Sequence, residues 1–391
     1  MRTSNQIIQI LQVINTTSNS DGGPSRNSLE LNMSLNRLDD FEAQLLSIHG
    51  VAQDSVLRDI DTRSVPANWP QPIFVAAMRN PLLGMLRSLS LSIRKSDCVI
   101  IHGYYLNWVP LVALLCIFSG TPYLITPHGA LTAHQRRVSV MKKRLFEMMA
   151  GGWVRHRAAG FVTGSEAERT EVLQHSPRSR VSVGGVGTGH FEESSKIIFL
   201  GRHEPIRLLS MSRVAPKKRI ELSIQACSLL AARGIEFEFV IAGSGDETLL
   251  EHLTDLVNSL ELNSQVSFIG EVFGSAKDQL LRESDIFLFP SDDENFGIAL
   301  AEALARGLPS VTSSAVAAAH GLHEPAGIVL ESPTRESIAN AIEDLMQSEH
   351  FERNRSAAFH FAAENFDWNN VAQQWRMAIL GVSRSDSDTV K

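Results

Sequence analysis

The sequence predicts an α/β protein built from two doubly wound, mostly parallel domains. Strand-like and helix-like segments alternate through most of the chain, the pattern of βαβ units. The strand-like segments are short, often β-branched runs, as expected where helices cover both faces of a sheet. The chain has 391 residues, enough for two domains of ordinary size. It shows no internal repeat of fixed period.

In the first half the strands are read at IIQILQVI (7–14), AQLLSIHG (43–50), CVIIHG (98–103), PYLIT (122–126) and AGFVTG (159–164). In the second half they are IRLLSM (206–211), FEFVIAG (237–243), VSFIG (266–270), DIFLFP (285–290) and SVTSS (310–314). Ser165 and Glu168 form an S-x-x-E capping box that opens a helix, and Gly307 with Pro309 closes one. The junction falls near 184–200, giving domains at 1–190 and 200–365. FDWNNVAQQWRMAIL is an amphipathic stretch with two Trp, expected as a helix over 366–382 that packs back on the first domain. The polar tail 383–391 is expected to be disordered.

Hydrophobic residues make up 43% and charged residues 20%, an ordinary soluble balance. Cys98, Cys116 and Cys227 are far apart and form no CxxC pair, which predicts a reduced, cytoplasmic protein without a structural metal. The opening residues lack a basic segment followed by an apolar core, so no signal peptide is expected. The longest apolar run covers 109–118, about half of the roughly 20 residues that span a bilayer. The net charge of −7 conceals an asymmetry. Residues 1–190 carry 19 Lys and Arg against 13 Asp and Glu, and the remainder carries 17 against 30. Much of the positive charge lies in HQRRVSVMKKRLFEMMAGGWVRHR (134–157), where Met and Trp interleave with Arg and Lys. That pattern suits an anionic membrane surface and equally suits a solvated helix face.

In doubly wound sheets, ligands bind beyond the C-terminal ends of the strands, at helix N-termini. Five loops stand there. DGGPSR (21–26) offers Gly22 and Gly23, whose backbone can approach a phosphate or a sugar hydroxyl; a plain tight turn has the same composition. TPHGAL (126–131) places His128 just past a strand. SRVAPKKR (212–219) brings Arg213, Lys217, Lys218 and Arg219 to a strand end, where they can neutralise a diphosphate. AGSGDE follows another strand and includes Gly243. In PSDDENFG, Glu294 precedes Asn295, Phe296, Gly297 and Ile298 at a helix mouth that favours an anion. Glu302 lies one turn after Ile298 on the same face, among apolar neighbours. A buried carboxylate persists only if donors meet it, and a ribose diol supplies two. The run GGVGTG (184–189) spaces its glycines as GxGxG and reads as a flexible linker, not a dinucleotide fingerprint.

Together these motifs resemble the retaining GT-B glycosyltransferases of family 4 along nearly the whole chain. Glu294 to Glu302 stands as the E-x7-E motif, in the setting FPSDDENFGIALAEALARGLP. SRVAPKK is similar to the family's phosphate-binding segment, with Arg213 and Lys218 in its basic positions. DGGPSR and TPHGAL resemble its glycine loop and His-bearing loop, and VIAGSGDE and FIGEVFG its segments near the nucleotide base. TPHGAL followed by MKKRLFE resembles the branch that builds lipopolysaccharide or exopolysaccharide.

The resemblance implies GT-B architecture, with two Rossmann-like domains facing each other across a cleft. It implies a nucleotide sugar, UDP- or GDP-linked, as co-substrate, with no resident cofactor and no metal. Glu302 would hold the ribose, Glu294 the donor sugar, Arg213 and Lys218 the leaving diphosphate, and His128 would line the reaction centre from the acceptor domain. Gly22, Gly23, Gly243, Val272, Asn295, Phe296, Gly297 and Ile298 complete the donor-binding set, with backbone near Val272 and Phe273 choosing the base. Asp292–Asp293 is not a metal-binding DxD and receives no role. The acceptor would be a saccharide or lipid-linked saccharide, with peripheral attachment to the cell membrane through 134–157, and no nucleic acid. Two departures stand out. VGGVGTGHF (183–191) lacks the family's Asn-Gly pair and following acid, and Arg219 stands where Gly is common. A sugar-nucleotide epimerase, a phosphorylase, or a silent nucleotide-binding partner of another transferase are the competing readings.

Overall fold

β1 (Ile8–Ile14) reads IQILQVI, and its alternate residues enter two different cores. Ile8 and Ile10 join one apolar cluster with Leu31 and Leu35, and Leu11 and Val13 join a second with Val99 and Ile101. β4 (Cys98–His102) splits the same way, with Cys98 and Ile100 on the first side and Val99 and Ile101 on the second. Successive side chains in a strand point to opposite faces, so a strand covered on both sides must be apolar almost throughout. The computed structural model describes residues 7–18, 23–49, 73–74, 81–189, 191, 203–346 and 351–383.

The chain divides into two compact units, residues 1–187 with 368–391, and residues 188–367. The first contains a seven-stranded sheet in the order β3-β2-β1-β4-β5-β6-β7, where β2 is Phe41–Ser47, β3 Ile73–Phe74, β5 Tyr123–Thr126, β6 Gly160–Thr163 and β7 Val181–Val183. Every pairing is parallel. Its helices are α1 (Gly23–Leu35), α2 (Pro81–Lys95), α3 (Val109–Ser119), α4 (Ala133–Arg137), α5 (Val140–Phe146), α6 (Gly152–Arg157) and α7 (Glu166–His175), with a π-turn at Glu147–Gly151 between α5 and α6.

The second unit holds a six-stranded sheet in the order β10-β9-β8-β11-β12-β13, where β8 is Ile206–Met211, β9 Phe237–Ala242, β10 Val266–Gly270, β11 Ile286–Phe289, β12 Ser310–Ser313 and β13 Gly327–Leu330. It too is parallel throughout. Its helices are α8 (Ile220–Ala232), α9 (Glu247–Ser259), α10 (Gly274–Glu283), α11 (Ile298–Leu304), α12 (Arg335–Met346) and α13 (Phe351–Phe366). In each sheet the strand order reverses at one place, between β1 and β4 and between β8 and β11. Those switch points are where doubly wound sheets receive ligands.

α14 (Trp368–Leu380) returns to the first unit. Trp368, Val371, Trp375 and Ile379 enter the cluster formed by Ile8, Leu31 and Leu35. Trp368 Nε1 donates to Glu30 at 2.9 Å, and Arg376 pairs with Asp40 at 2.6 Å. The stretch read as a flexible linker is packed instead. Gly184, Val186 and Gly187 are buried, and a Cβ at Gly184 or Gly187 would run into the rings of Trp375 or Trp368. Glycine is required there for close approach rather than for mobility.

The strands at 7–14, 98–103, 122–126 and 159–164, and those of the second half, lie within a few residues of their expected places. β2 covers Phe41–Ser47 rather than 43–50. β3, β7 and β13 were not anticipated; β3 and β7 run for only two and three residues. Among the described residues, no helix is long and apolar enough to cross a membrane.

Candidate functional site

In the second unit the loop after β8 and the loop after β11 are joined by charge. Lys218 Nζ donates to Glu294 Oε1 at 2.5 Å and sits 4.5 Å above the Phe289 ring. Lys217 lies 3.4 Å from both Asp293 and Glu294. Arg219 Nη1 reaches both carboxylate oxygens of Asp292 at 3.0 Å, and its Nε pairs with Glu221 at 2.5 Å. A backbone bond from Asp292 N to Lys217 O, 2.8 Å long, ties the same loops together. Burial lowers the Lys218 pKa, against the opposing pull of Glu294. Arg213 is exposed and, among the described residues, its guanidinium has neither a hydrogen-bond nor an ion-pair partner. The loops thus offer one free guanidinium and one half-neutralised ammonium. Arg219 has φ of 53°, a left-handed conformation that costs a side-chain-bearing residue roughly 1 kcal/mol or more. That explains why glycine suits the position.

Glu302, on α11, is 7% exposed, so the expected buried carboxylate is present. Its donor set differs from the expectation, because Lys277 Nζ on α10 already reaches Oε1 at 2.6 Å. A ribose diol would therefore join or displace an ammonium rather than meet a bare carboxylate. Gly297 is the residue before α11, with φ of 95°, and a Cβ there would strike Val316. Phe296 is buried, Ile298 is partly exposed, and α11 runs for seven residues. Asn295 Oδ1 and the Ser291 hydroxyl, in the same loop as Glu294, are buried without hydrogen-bond partners. Val272 is half-buried and Phe273 exposed in the turn between β10 and α10. Gly243, at the end of β9, backs onto the Ser212 carbonyl.

In the first unit, Gln12, His102 and Thr126 are the last polar positions of β1, β4 and β5, on the α1 and α14 face. The register places Gln12 opposite Ile100 and His102 opposite Thr126. His102 Nε2 lies 2.8 Å from Gln12 Oε1, and His102 Nδ1 lies 2.9 Å from His128 Nε2. The two rings are nearly coplanar, 15° apart, with centroids 5.1 Å apart. With the nitrogens at 2.9 Å, this is an in-plane, edge-to-edge bond rather than a face-to-face stack. Burial lowers His128 to about 4 and holds His102 well below the ordinary histidine value, helped by the neighbouring ring.

His128 has φ of 50°, and its loop is held by Glu168, which accepts from Gly129 N at 2.5 Å and Gly164 N at 2.9 Å. The capping box is therefore half formed. Ser165 Oγ accepts from Glu168 N at 3.2 Å, while the Glu168 carboxylate serves the His-bearing loop. Gly23 opens α1, and Ser25 Oγ donates to Thr16 O at 2.8 Å. Gly22 lies outside the described residues.

The basic stretch 134–157 is not one helix but α4, α5, the π-turn and α6. Met141, Leu145, Met148 and Met149 are 85, 52, 79 and 69% exposed. Arg137, Lys142 and Arg144 are exposed among them. Glu147 turns inward to Arg155 at 2.6 Å and His175 at 3.2 Å, and those partners hold its carboxyl below the ordinary range against the effect of burial.

The crystal structure of Anabaena HepE in complex with UDP superimposes with a TM-score of 0.72 over 96% of this chain and 100% of that one, at 16% identity. The family model for group 1 glycosyl transferases matches residues 192–360, and that for glycosyl transferase 4-like domains matches residues 22–187. This chain belongs to the GT-B glycosyltransferases of family 4. It is 38% identical to the amylovoran biosynthesis glycosyltransferase AmsK of Erwinia amylovora over 117 residues, 28% of each chain. It is 28% identical to the phosphatidyl-myo-inositol mannosyltransferase of Mycolicibacterium smegmatis over 189 residues, 48% of this chain and 45% of that one. The chain spans less than half the length of these curated relatives.

Within the second unit, the structure brings Lys218 onto Glu294, next to Asn295 in the chain, while Glu302 is drawn to Lys277. Lys277 escaped sequence reading, as did Gln12 and His102, and Glu168 was read only as a helix cap. The last three carried a signal, since a Gln and a His on largely apolar strands, and a Glu in the first turn of a helix, all needed partners. Lys277 carried none, sitting among ordinary polar residues 25 positions before the carboxylate it meets.

Proposed function

We propose that this chain is a retaining, metal-independent hexosyltransferase that moves a sugar from a nucleotide-diphosphate sugar to a saccharide or lipid-linked saccharide. Its setting would be cytoplasmic synthesis of bacterial cell-surface polysaccharide. The observation that carries this reading is the pairing of Lys218 with Glu294 beside the partnerless Arg213, at the switch point of the second sheet. The UDP and UDP-glucose held by HepE support a nucleotide-sugar donor.

The chemistry follows from charge. When the bond from C1 of the sugar to the diphosphate breaks, the electron pair goes to the phosphate oxygen. Arg213 and Lys218 stabilise that oxygen, a task for fixed cations worth about 10²–10³ in rate. An arriving diphosphate gives Lys218 a second anionic partner and frees an oxygen of Glu294 to accept from a sugar hydroxyl. Asn295 Oδ1 and Ser291 Oγ, both lacking partners, can accept others. The acceptor hydroxyl bonds to C1 on the face the diphosphate leaves, and its proton passes to the leaving phosphate oxygen. Asp292, Asp293 and Glu294 each face a cation of the chain itself, so side-chain charge supplies what a metal would otherwise bring. Glu302 holds the ribose, and the first unit takes the acceptor.

Calorimetry with UDP, GDP and ADP in chelator tests this directly. One nucleotide is expected to bind, and Glu302→Ala to weaken it about 10-fold or more, the cost of leaving polar ligand groups unpaired. Binding unchanged in the variant, or no binding without a divalent cation, would sink the reading. The Met141, Leu145, Met148 and Met149 surface with its cations fits an anionic bilayer, near a lipid-linked acceptor. Cosedimentation with anionic but not neutral vesicles, lost in Met148→Asp, is the expected behaviour.

A further inference from the structure

We infer that Gln12 and His102 fix the ring tautomer of His128, so that its open nitrogen, Nδ1, presents a lone pair and receives a hydroxyl donor from a ligand rather than an anion. The polarity of the hydrogen-bond chain decides this. As placed, the Gln12 amide turns Oε1 toward His102 and leaves Nε2 buried without a hydrogen-bond partner among the described residues; an amide oxygen only accepts, so in this placement His102 Nε2 carries the proton of the 2.8 Å bond. A neutral ring with its proton on Nε2 has a lone pair on Nδ1, so His128 Nε2 must donate across the 2.9 Å contact. His128 Nδ1 is then unprotonated. It has no partner among the described residues and is not enclosed.

Three further features keep the relay in this state. Gln12 and His102 are 0 and 2% exposed, so water does not compete for their bonds. The nearly coplanar rings place donor and lone pair in line. Burial disfavours the imidazolium of both rings, so each keeps a single ring proton near neutral pH. The relay starts on a strand in the middle of the sheet, and the loop it reaches is anchored by Glu168 on the other side of His128. Gln12 and His102 are accordingly positioning residues. A lone pair at Nδ1 repels a phosphate or carboxylate and attracts an O–H, which is the chemistry of a sugar hydroxyl. The identity of that ligand rests on the transferase reading above; the tautomer does not.

The test uses the full chain labelled with 15N-histidine and long-range proton–nitrogen NMR, with His102→Gln and His128→Gln spectra assigning the two rings. Both rings are expected in the Nε2–H form in the unmodified protein. In Gln12→Met the His128 ring should divide between its two tautomers. Transfer by that variant should show kcat about 10-fold lower, the scale of one misdirected hydrogen bond, with the donor KM unchanged. His128 found as Nδ1–H in the unmodified protein would mean that the relay runs in the opposite sense, and would overturn the inference. So would an undivided Nε2–H signal in Gln12→Met. If that variant does not fold, Gln12→Asn, which withdraws the acceptor while keeping the site polar, is read the same way. A correct tautomer in a protein that transfers no sugar upholds the relay and counts against the transferase reading alone.

Discussion

At the switch point of the second sheet, Asp292, Asp293 and Glu294 meet Arg219, Lys217 and Lys218. At the switch point of the first, Gln12, His102 and His128 pass hydrogen bonds along three side chains without a formal charge. The folds are alike, yet ion pairs gather at one switch point and a chain of neutral hydrogen-bonding side chains at the other. The difference matches the groups each would handle. A leaving diphosphate gathers negative charge and calls for cations, whereas a sugar hydroxyl is neutral and calls for an oriented donor or acceptor. It also predicts unlike sensitivities. Charged loops fail when a charge is lost, and neutral relays fail when an orientation is lost.

The strongest way to break the contrast is to remove Lys218. Lys218→Ala is expected to lower kcat by about 10²–10³, as for loss of one preorganised charge at a transition state. Steady-state kinetics checks it, and a change under 10-fold would remove Lys218 from the reaction. Next is Lys277→Met, which leaves Glu302 buried without its ammonium partner. Breaking an enclosed ion pair costs about 3 kcal/mol or somewhat less where one partner is partly exposed, visible as a lower midpoint in urea. Restoration by Lys277→Arg would tie the loss to the charge.

A smaller effect separates the two sites by pH. His128 is held near 4, below the ordinary 6.5, so the unfolded chain binds more protons between those values. Its contribution to stability is fully present above about pH 6.5 and is lost as the pH falls toward 4. His128→Gln should flatten the acid limb of the melting temperature in that window. The least effect is expected from Arg219→Gly. Relief of a left-handed residue, roughly 1 kcal/mol, opposes loss of exposed ion pairs worth about 0–1 kcal/mol, so the midpoint should barely move. A large drop would show that the bond to Asp292 organises the loop.

Much of the framework was legible because its signals are local. Ile8–Ile14 and Cys98–His102 announce strands covered on both faces, and the loops that follow them are where a doubly wound sheet places chemistry. The nearness of Lys218 to Glu294 could be anticipated, since both lie at ends of adjacent strands, β8 and β11. Other features depended on distance in the fold. Nothing near Glu302 in sequence names Lys277. The row Gln12, His102, Thr126 exists only once the register sets three strands side by side. The glycines of 184–187 read as loose chain until two Trp from α14 are seen against them.

That docking of α14 bears on how the protein is made. The α1-side face of the first sheet is closed in part by Trp368, Val371, Trp375 and Ile379, which leave the ribosome after residues 188–367. The first unit thus emerges before the second but finishes folding after it, while residues 188–367, a continuous stretch, can complete their core beforehand. A nascent chain that ends before Trp368 carries an uncovered apolar sheet face. Prematurely terminated products of this gene would be chaperone clients prone to aggregate, not free-standing N-terminal domains.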